Sequence, residues 1–432
     1  MRSRASSRTA FRMTMVGLLV ILTGVAAGGC YGMRELEDLS LITLLGVDKG
    51  KTDPILVTAV VAIPRRIRPS AAGGGGGEGK PVVVVSREGK SIVHALQRID
   101  ESLARNVTTI ETTYVILGEE LAREDASCIL DVFTRNLEFR HTTLIAVCQG
   151  TAQDFLMRLS PAVEADPATY LVGLTTVAYN DLGTSPLVTV HEFVVASTTL
   201  ESEPFSPYLV TTRKTQERVP PGQGGEKKQG GESEAGQGGS RQESQEGEEV
   251  VAVQGAALFR VSGGKIRMVG TLDPKETMAA LLMRGELQRG NIEIALPGAP
   301  DRQSIIRFHH VSAHPKVKRS GRDIQVTYNV RVTASLDEAQ GQFQEVSPQF
   351  ASAVAKTSTE ELRALLERTI EKLKSLRSDS VNLGMSVHTK FATWKEWEEF
   401  DWPSQFPETR VSFDIKLFVF TTGFTSRPPV PR

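Results

Sequence analysis

From residue 39 onward the chain alternates short apolar runs with amphipathic stretches. LSLITLLGVDKG ends in Asp48, Lys49 and Gly50, which suit a turn, and ILVTAVVAIP is a β-rich run stopped by Pro64. PVVVVSREGK predicts a third strand. Ser91 is placed to cap a helix that carries Ile92, Leu96, Ile99 and Leu103 on one face. TTIETTYVILG predicts a strand, Leu121, Ile129, Val132, Phe133 and Leu137 mark a helix, and TTLIAVCQG predicts another strand. Thr151 caps a short helix with Phe155, Leu156 and Leu159, and residues 161–200 read as helical but less regular. Strands and helices in alternation predict a mixed α/β domain with parallel pairing in part of its sheet.

The later half has a different rhythm. VVAVQGAALFRV and KIRMVGTL flank Gly263 and Gly264, the pattern of a hairpin. Asp273 followed by Pro274 starts a helix that runs to about Leu287. Ile324, Val326, Tyr328, Val330, Val332 and Ala334 alternate without a break, which marks a half-buried strand. Thr357, Ser358, Glu360 and Glu361 offer capping boxes before an amphipathic helix striped by Leu362, Leu365, Leu366, Thr369, Ile370, Leu373 and Leu376. A last strand over 409–421 sets Val411, Phe413, Ile415, Leu417 and Val419 on one face. Phe418 and Phe420 fall on the other, so cover on both sides is expected near its end.

Between these halves, residues 220–249 are rich in Gly and Glu and hold no aromatic or branched apolar residue. Such a stretch cannot bury enough surface to offset its ordering entropy and reads as a flexible linker or a long disordered loop. The expectation is a multi-domain α+β protein. An N-terminal mixed α/β domain spans 30–219. A C-terminal domain of mainly antiparallel strands with a long amphipathic helix spans 250–432.

Composition adds little beyond this. Apolar residues make up 40%, charged residues 23%, and the net charge is −1, so no strong general field favours nucleic acid. The first thirty residues add more. Arg2, Arg4, Arg8 and Arg12 precede an apolar run from Met13 through Val25, and Ala26, Ala27, Gly28 and Gly29 lead to Cys30. A basic start, a short apolar stretch and small residues make an export signal, here 1–29. A cysteine directly after small residues is what lipoprotein processing requires, with the Cys30 thiol receiving a diacylglyceryl group. Each buried methylene is worth about 0.8 kcal/mol, so one chain binds a membrane marginally and two bind it stably.

The sequence offers no catalytic constellation. Gly74, Gly79 and Lys80 have phosphate-loop spacing, but Pro81 stands where the metal-binding hydroxyl belongs and a strand follows instead of a helix. His309, His310 and His314 cluster without a Cys or acid at ligand spacing, and neighbours on a strand point to opposite faces, so no metal is expected. Neither G-x-S-x-G nor H-E-x-x-H occurs. Cys128 and Cys148 lie in apolar surroundings and read as two buried thiols, the alternative being a disulfide between them outside the cytoplasm. Lys316, Lys318, Arg319 and Arg322 surround a hairpin tip at Gly321, which reads as a solvated turn; the alternative is contact with anionic headgroups. No cofactor is implied.

Several motifs together resemble the Ger(x)C family, the lipoprotein C subunits of nutrient germinant receptors in endospore-forming bacteria. GCYGMRELEDLSLITLLGVDKG resembles the family's start, with Gly46, Asp48 and Lys49 closing its first strand. REGKSIVHAL, TYVILGEELAREDA, RNLEFR, GAALFR, VGTLDPKET and LLMRGE follow in order. KSLRSDSVNLGM, with Asp379 and Gly384, then WKEWEEFDWPSQFPETRVSFDIKLFVFTTG make the most specific match. Tyr31 replaces the family's usual Trp, Ala27 weakens the processing box, and Gly73–Gly77 and 220–249 look like insertions.

The resemblance implies a non-enzymatic subunit on the outer face of the spore inner membrane, working with integral-membrane A and B subunits to sense nutrients. Trp394, Trp397, Phe400, Trp402 and Phe406 crowd into thirteen residues and are the candidate partner-binding surface. The alternative is that these rings cover the domain's own core. A rival function is a solute-binding lipoprotein that captures the nutrient itself in a pocket.

Overall fold

The computed structural model describes residues 13–19, 39–62, 82–103, 105–136, 138–159, 164, 166–213, 249–297, 299–339 and 348–421. Cys30, the Gly73–Gly77 block and nearly all of 220–249 lie outside them.

The first sheet is built around four parallel strands. β1 (Leu39–Lys49), β5 (Tyr114–Gly118), β6 (Leu144–Cys148) and β7 (Phe205–Arg213) pair in that order. β2 (Ile55–Ala62) and β3 (Val82–Gly89) extend it antiparallel beyond β1, and β4 (Asn106–Thr108) pairs with the start of β1. β8 (Glu249–Ser262) and β9 (Lys265–Leu272) extend it antiparallel beyond β7. The full order is β3-β2-β1-β5-β6-β7-β8-β9, with β4 beside β1.

Helices cover both faces, as near-continuous apolar strands require. α1 (Ile92–Asp100), α2 (Glu119–Glu124), α3 (Cys128–Arg135) and α6 (Val190–Thr198) pack on Leu45, Val47, Val115, Leu117 and Ile145. α4 (Ala152–Arg158) and α5 (Pro167–Val177) pack on Leu44, Tyr114, Ile116, Ala146 and Cys148. Successive side chains of a strand point to opposite faces, so each central strand feeds both cores. Ser91 caps α1 by accepting from His94 N, and Thr151 caps α4 by accepting from Asp154 N. The single helix expected over 121–137 is two, because Asp125 leaves helical geometry and accepts from Ser127 N and Ile266 N. α5 runs into a π turn, Ala178–Leu182, closed by Gly183 at φ +64.

β8 and β9 follow the Gly/Glu-rich segment yet complete the first sheet, so a division at 220–249 does not separate the two sheets. The second sheet holds β10 (Gly290–Leu296), β11 (Ala299–Ser320), β12 (Asp323–Ala339) and β13 (Arg410–Thr421) in sequence order. β10 to β12 are antiparallel, and β13 returns parallel to β12. α7 (Pro274–Arg284) and α8 (Pro348–Leu376) cover one face of it. Asp273 and Glu276 form the capping box of α7, and every residue from Glu276 to Met283 is buried. α8 starts nine residues before Thr357. Its expected capping residues are interior instead, and the Ser358 and Thr359 hydroxyls bond back to Val354 O and Ala355 O. Phe205, Ala256, Leu258 and Leu272 of the first sheet enter the core of the second, so the two units share apolar contact.

Candidate functional site

The first family-like motif resolves into packing around α4. Leu44, Gly46 and Asp48 lie on the strand face that meets this helix. A Cβ on Gly46 would stand 2.8 Å from Leu156 Cδ1, so glycine lets the helix close on the strand. The Asp48 carboxylate accepts from Ala152 N at 2.7 Å and Gln153 N at 2.8 Å. These amides open α4 and have no partner within the helix. Asp48 is therefore a strand residue that caps α4, and not the turn residue its position suggested. A Cβ at Gly118 would come within 1.9 Å of Asp48 Oδ1, so the neighbouring strand also has to carry glycine there. Burial pushes the Asp48 carboxyl up to about 6 despite the two donors. Lys49, next in line, reaches out of the sheet to Glu120 and Glu124 at 3.1 and 2.7 Å.

The closing motif has the same logic. Asp379 is fully enclosed and accepts from Leu383 N at 3.0 Å, Gly384 N at 2.7 Å and Trp402 Nε1 at 2.8 Å. The two amides open α9 (Leu383–His388). Asn382, just before it, takes the left-handed conformation at φ +56. A Cβ on Gly384 would meet Glu201 O at 2.4 Å and Trp402 Nε1 at 2.5 Å. Burial raises Asp379 to about 6. Beside it, Glu203 gives its amide to Asp379 O at 3.1 Å and accepts from Val261 N at 2.7 Å. Burial, with the Asp379 charge nearby, pushes Glu203 up to about 8. Ser378 Oγ donates to Phe259 O at 2.6 Å. These bonds fasten the end of the first sheet to the second unit.

Of the five rings expected to form a partner surface, four are interior. Trp397 on α10 (Trp394–Phe400), Phe400, Trp402 on α11 (Trp402–Gln405) and Phe406 are buried in the second core. Trp397 stacks on His388 at 5.0 Å and on Trp402 at 6.1 Å, and Phe406 meets Trp402 edge-on at 5.7 Å. Each buries too much apolar area to be left in water. Trp394 alone is open, at 51% exposure, with its indole donating to Glu398 at 2.6 Å. It meets His388 edge-on at 5.4 Å, and Met385, one turn earlier on α9, is also exposed.

Phe418 and Phe420 depart from expectation in the other sense. They are exposed, because among the described residues no helix covers that face of β13. The remaining groups with reactive potential are quiet. Cys128 and Cys148 are free thiols. Burial pushes Cys128 up to about 11 and raises Cys148 well above its ordinary range. His309 shares a 2.7 Å hydrogen bond with Ser335 Oγ, and His310 and His314 are exposed. Among the described residues no group of three or more His, Cys, Asp or Glu is placed to hold a metal, and no helix is long and apolar enough to cross a membrane.

Two sheets joined through a shared core define the class of architecture, and the overall fold is similar to that in the crystal structure of the GerBC protein. The match has a TM-score of 0.51 at 14% identity and covers 87% of this chain and 97% of that one. A profile for the spore germination protein N-terminal domain matches residues 32–211, and one for the spore germination B3/GerAC-like C-terminal domain matches 254–423. The chain belongs to this GerAC-like family of spore germination proteins. Relatives include spore germination protein KC of Bacillus subtilis (strain 168), 22% identical over 96% of this chain and 98% of its own. Putative spore germination protein YfkR of the same strain is 24% identical over 88% and 91%. Spore germination protein GerQC of Bacillus cereus is 20% identical over 93% and 97%.

Proposed function

We propose that this chain is the lipid-anchored, non-enzymatic C subunit of a spore nutrient germinant receptor. It would serve assembly or signalling of the complex beside integral-membrane A and B subunits on the outer face of the spore inner membrane. Family membership across both halves carries the reading. The anchor would be a diacylglyceryl group on Cys30, nine residues before the first strand. The candidate contact with a membrane partner narrows to the open Trp394, with Met385 nearby. An amphipathic indole half in water gives up little to be covered. Metabolic labelling with a tagged fatty acid tests the anchor, and label that persists in Cys30→Ala removes it. Deleting the gene in a sporulating host and assaying germination against a panel of nutrients tests the role. A response unchanged throughout, and unchanged again in strains lacking other germinant receptors, would oppose it.

The solute-binding alternative has one feature to offer. An open cleft of about 580 Å³ is lined by Leu41, Thr43, Glu111, Thr113, Asp166 and Thr169, among others. Its polar groups are already engaged, however. Glu111 pairs with Arg140, and Asp166 caps α5 and holds the Thr169 hydroxyl. Thr43 and Thr113 donate to backbone carbonyls. Among its described lining residues the cleft holds no polar side chain besides these engaged groups, and the subunit reading, which rests on family membership across both halves, is preferred. Calorimetry with amino acids and sugars separates the two.

A further inference from the structure

Among the described residues the second sheet is covered on one face and bare on the other. Along the bare face β13 presents Ser412, Asp414, Lys416, Phe418 and Phe420, all exposed. Register sets Lys416 directly opposite Arg331 of β12, and Phe418 opposite Thr333. Further toward the hairpin tip at Gly321, β11 presents Lys316 and Lys318 opposite Thr327 and Gln325. Lys316, Lys318, Arg331 and Lys416 are exposed and have no ion pair among the described residues. Of the nearest acids, Asp414 lies in a row with Asn329 and His314 and makes no ion pair among the described residues, and Asp323 is taken by Arg410 at 3.1 Å. Like charges directly opposite on paired strands are destabilising. A face built only to meet water would gain from an acid at one of these positions.

Two further residues along the same edge strand, the charge gives way to rings. Phe418 and Phe420 stand 62% and 60% exposed, and Phe420 touches His309 edge-on at 5.4 Å. Together these make a broad sheet face with unpaired cations and, beside them, projecting phenyl rings. We propose that this outer face of β11, β12 and β13 docks on an anionic lipid leaflet, with Lys316, Lys318, Arg331 and Lys416 at the headgroups and Phe418 and Phe420 reaching the acyl boundary. The charge complements anionic headgroups, which attract basic residues within a Debye length. Rings that protrude from an open strand edge suit a surface that yields around them. The inference stands apart from acylation at Cys30, because its test uses chain without the anchor.

Residues 31–432 contain every described strand of both sheets and every helix packed on them. That chain is sedimented with phosphatidylcholine vesicles, with and without phosphatidylglycerol. Binding is expected on the mixed vesicles and is expected to weaken with salt. Lys316→Gln/Lys318→Gln/Lys416→Gln should lower the partition coefficient about a hundredfold, at about fivefold per cation. Phe418→Ser/Phe420→Ser should lower it as well. Both variants alter exposed positions and should keep the parent melting temperature. Equal binding to both vesicle types, or binding that either variant leaves unchanged, overturns the proposal. Absence of vesicle binding also overturns it.

Discussion

Trp402 donates its indole N–H to the Asp379 carboxylate at 2.8 Å, and both side chains are buried. The indole thus serves a charge as well as filling space. Trp402→Phe keeps most of the ring but leaves the carboxylate one donor short. Hydrogen bonds to charged groups are worth about 1.5–3 kcal/mol, and urea denaturation should show a loss in that range. Gly384→Ala acts on the same contact sterically and should cost about 1–3 kcal/mol. Stability unchanged in both variants would remove Asp379 as a structural hub.

The cap made by Asp48 predicts a coupled pair. Gly118→Ala forces a methyl group against the carboxylate and should destabilise by about 1–3 kcal/mol. Asp48→Ala strands two buried amides and should cost about 1–2 kcal/mol, the usual loss for a helix cap. The double variant should lose less than the sum, because the alanine methyl at 118 no longer meets an oxygen. Additive losses in a double-mutant cycle would argue against the contact.

Stability should fall as pH rises from mildly acidic to alkaline. Asp48 and Asp379 are raised from 3.8 to about 6. A carboxyl with a raised folded pKa binds its proton more tightly when folded. Its stabilising contribution is complete below the unfolded pKa and is lost as pH rises through the folded one. The two aspartates place that loss between about pH 4 and 6. Glu203, raised from 4.5 to about 8, extends it toward pH 8. Each aspartate shift corresponds to roughly 3 kcal/mol. Urea midpoints at pH 5, 7 and 9 should decline in that order, and Glu203→Gln should flatten the upper part of the decline.

The aromatic helices allow an exposed ring to be separated from an enclosed one. Trp397→Ala should cost about 3–5 kcal/mol, as large truncations in a core do. Trp394→Ala should change stability by less than about 0.5 kcal/mol, as exposed positions do. If the proposed partner contact is right, Trp394→Ala alone should weaken recovery of the membrane subunits with this chain. Recovery equal to the parent, at equal folding, would exclude Trp394 from that contact.

Much of this architecture is legible in residue pattern. Ser91, Thr151 and Asp273 mark helix starts because a short side-chain oxygen before an amphipathic run has one dominant use. The unbroken alternation from Ile324 to Ala334 gives β12, because only a half-buried strand needs it. What pattern does not disclose is tertiary choice. FSPYLVTTR is assigned no element by pattern, as Pro207 interrupts it, yet it becomes β7 because β6 and β8 supply partners on both sides. Nothing local reveals that Asp48 caps a helix more than a hundred residues away. Clustered aromatics read equally as surface or core, and only the neighbours placed by folding decide.

The return of β8 and β9 to the first sheet makes the two halves mechanically inseparable. A protease that cut between Arg213 and Glu249 would leave both pieces zipped along the β7–β8 ladder. The nicked protein should elute as one particle and fall apart only in denaturant. By the same ladder, force applied at Leu39 would travel sideways from strand to strand and enter α7 through β9, with Asp273 alone between the two.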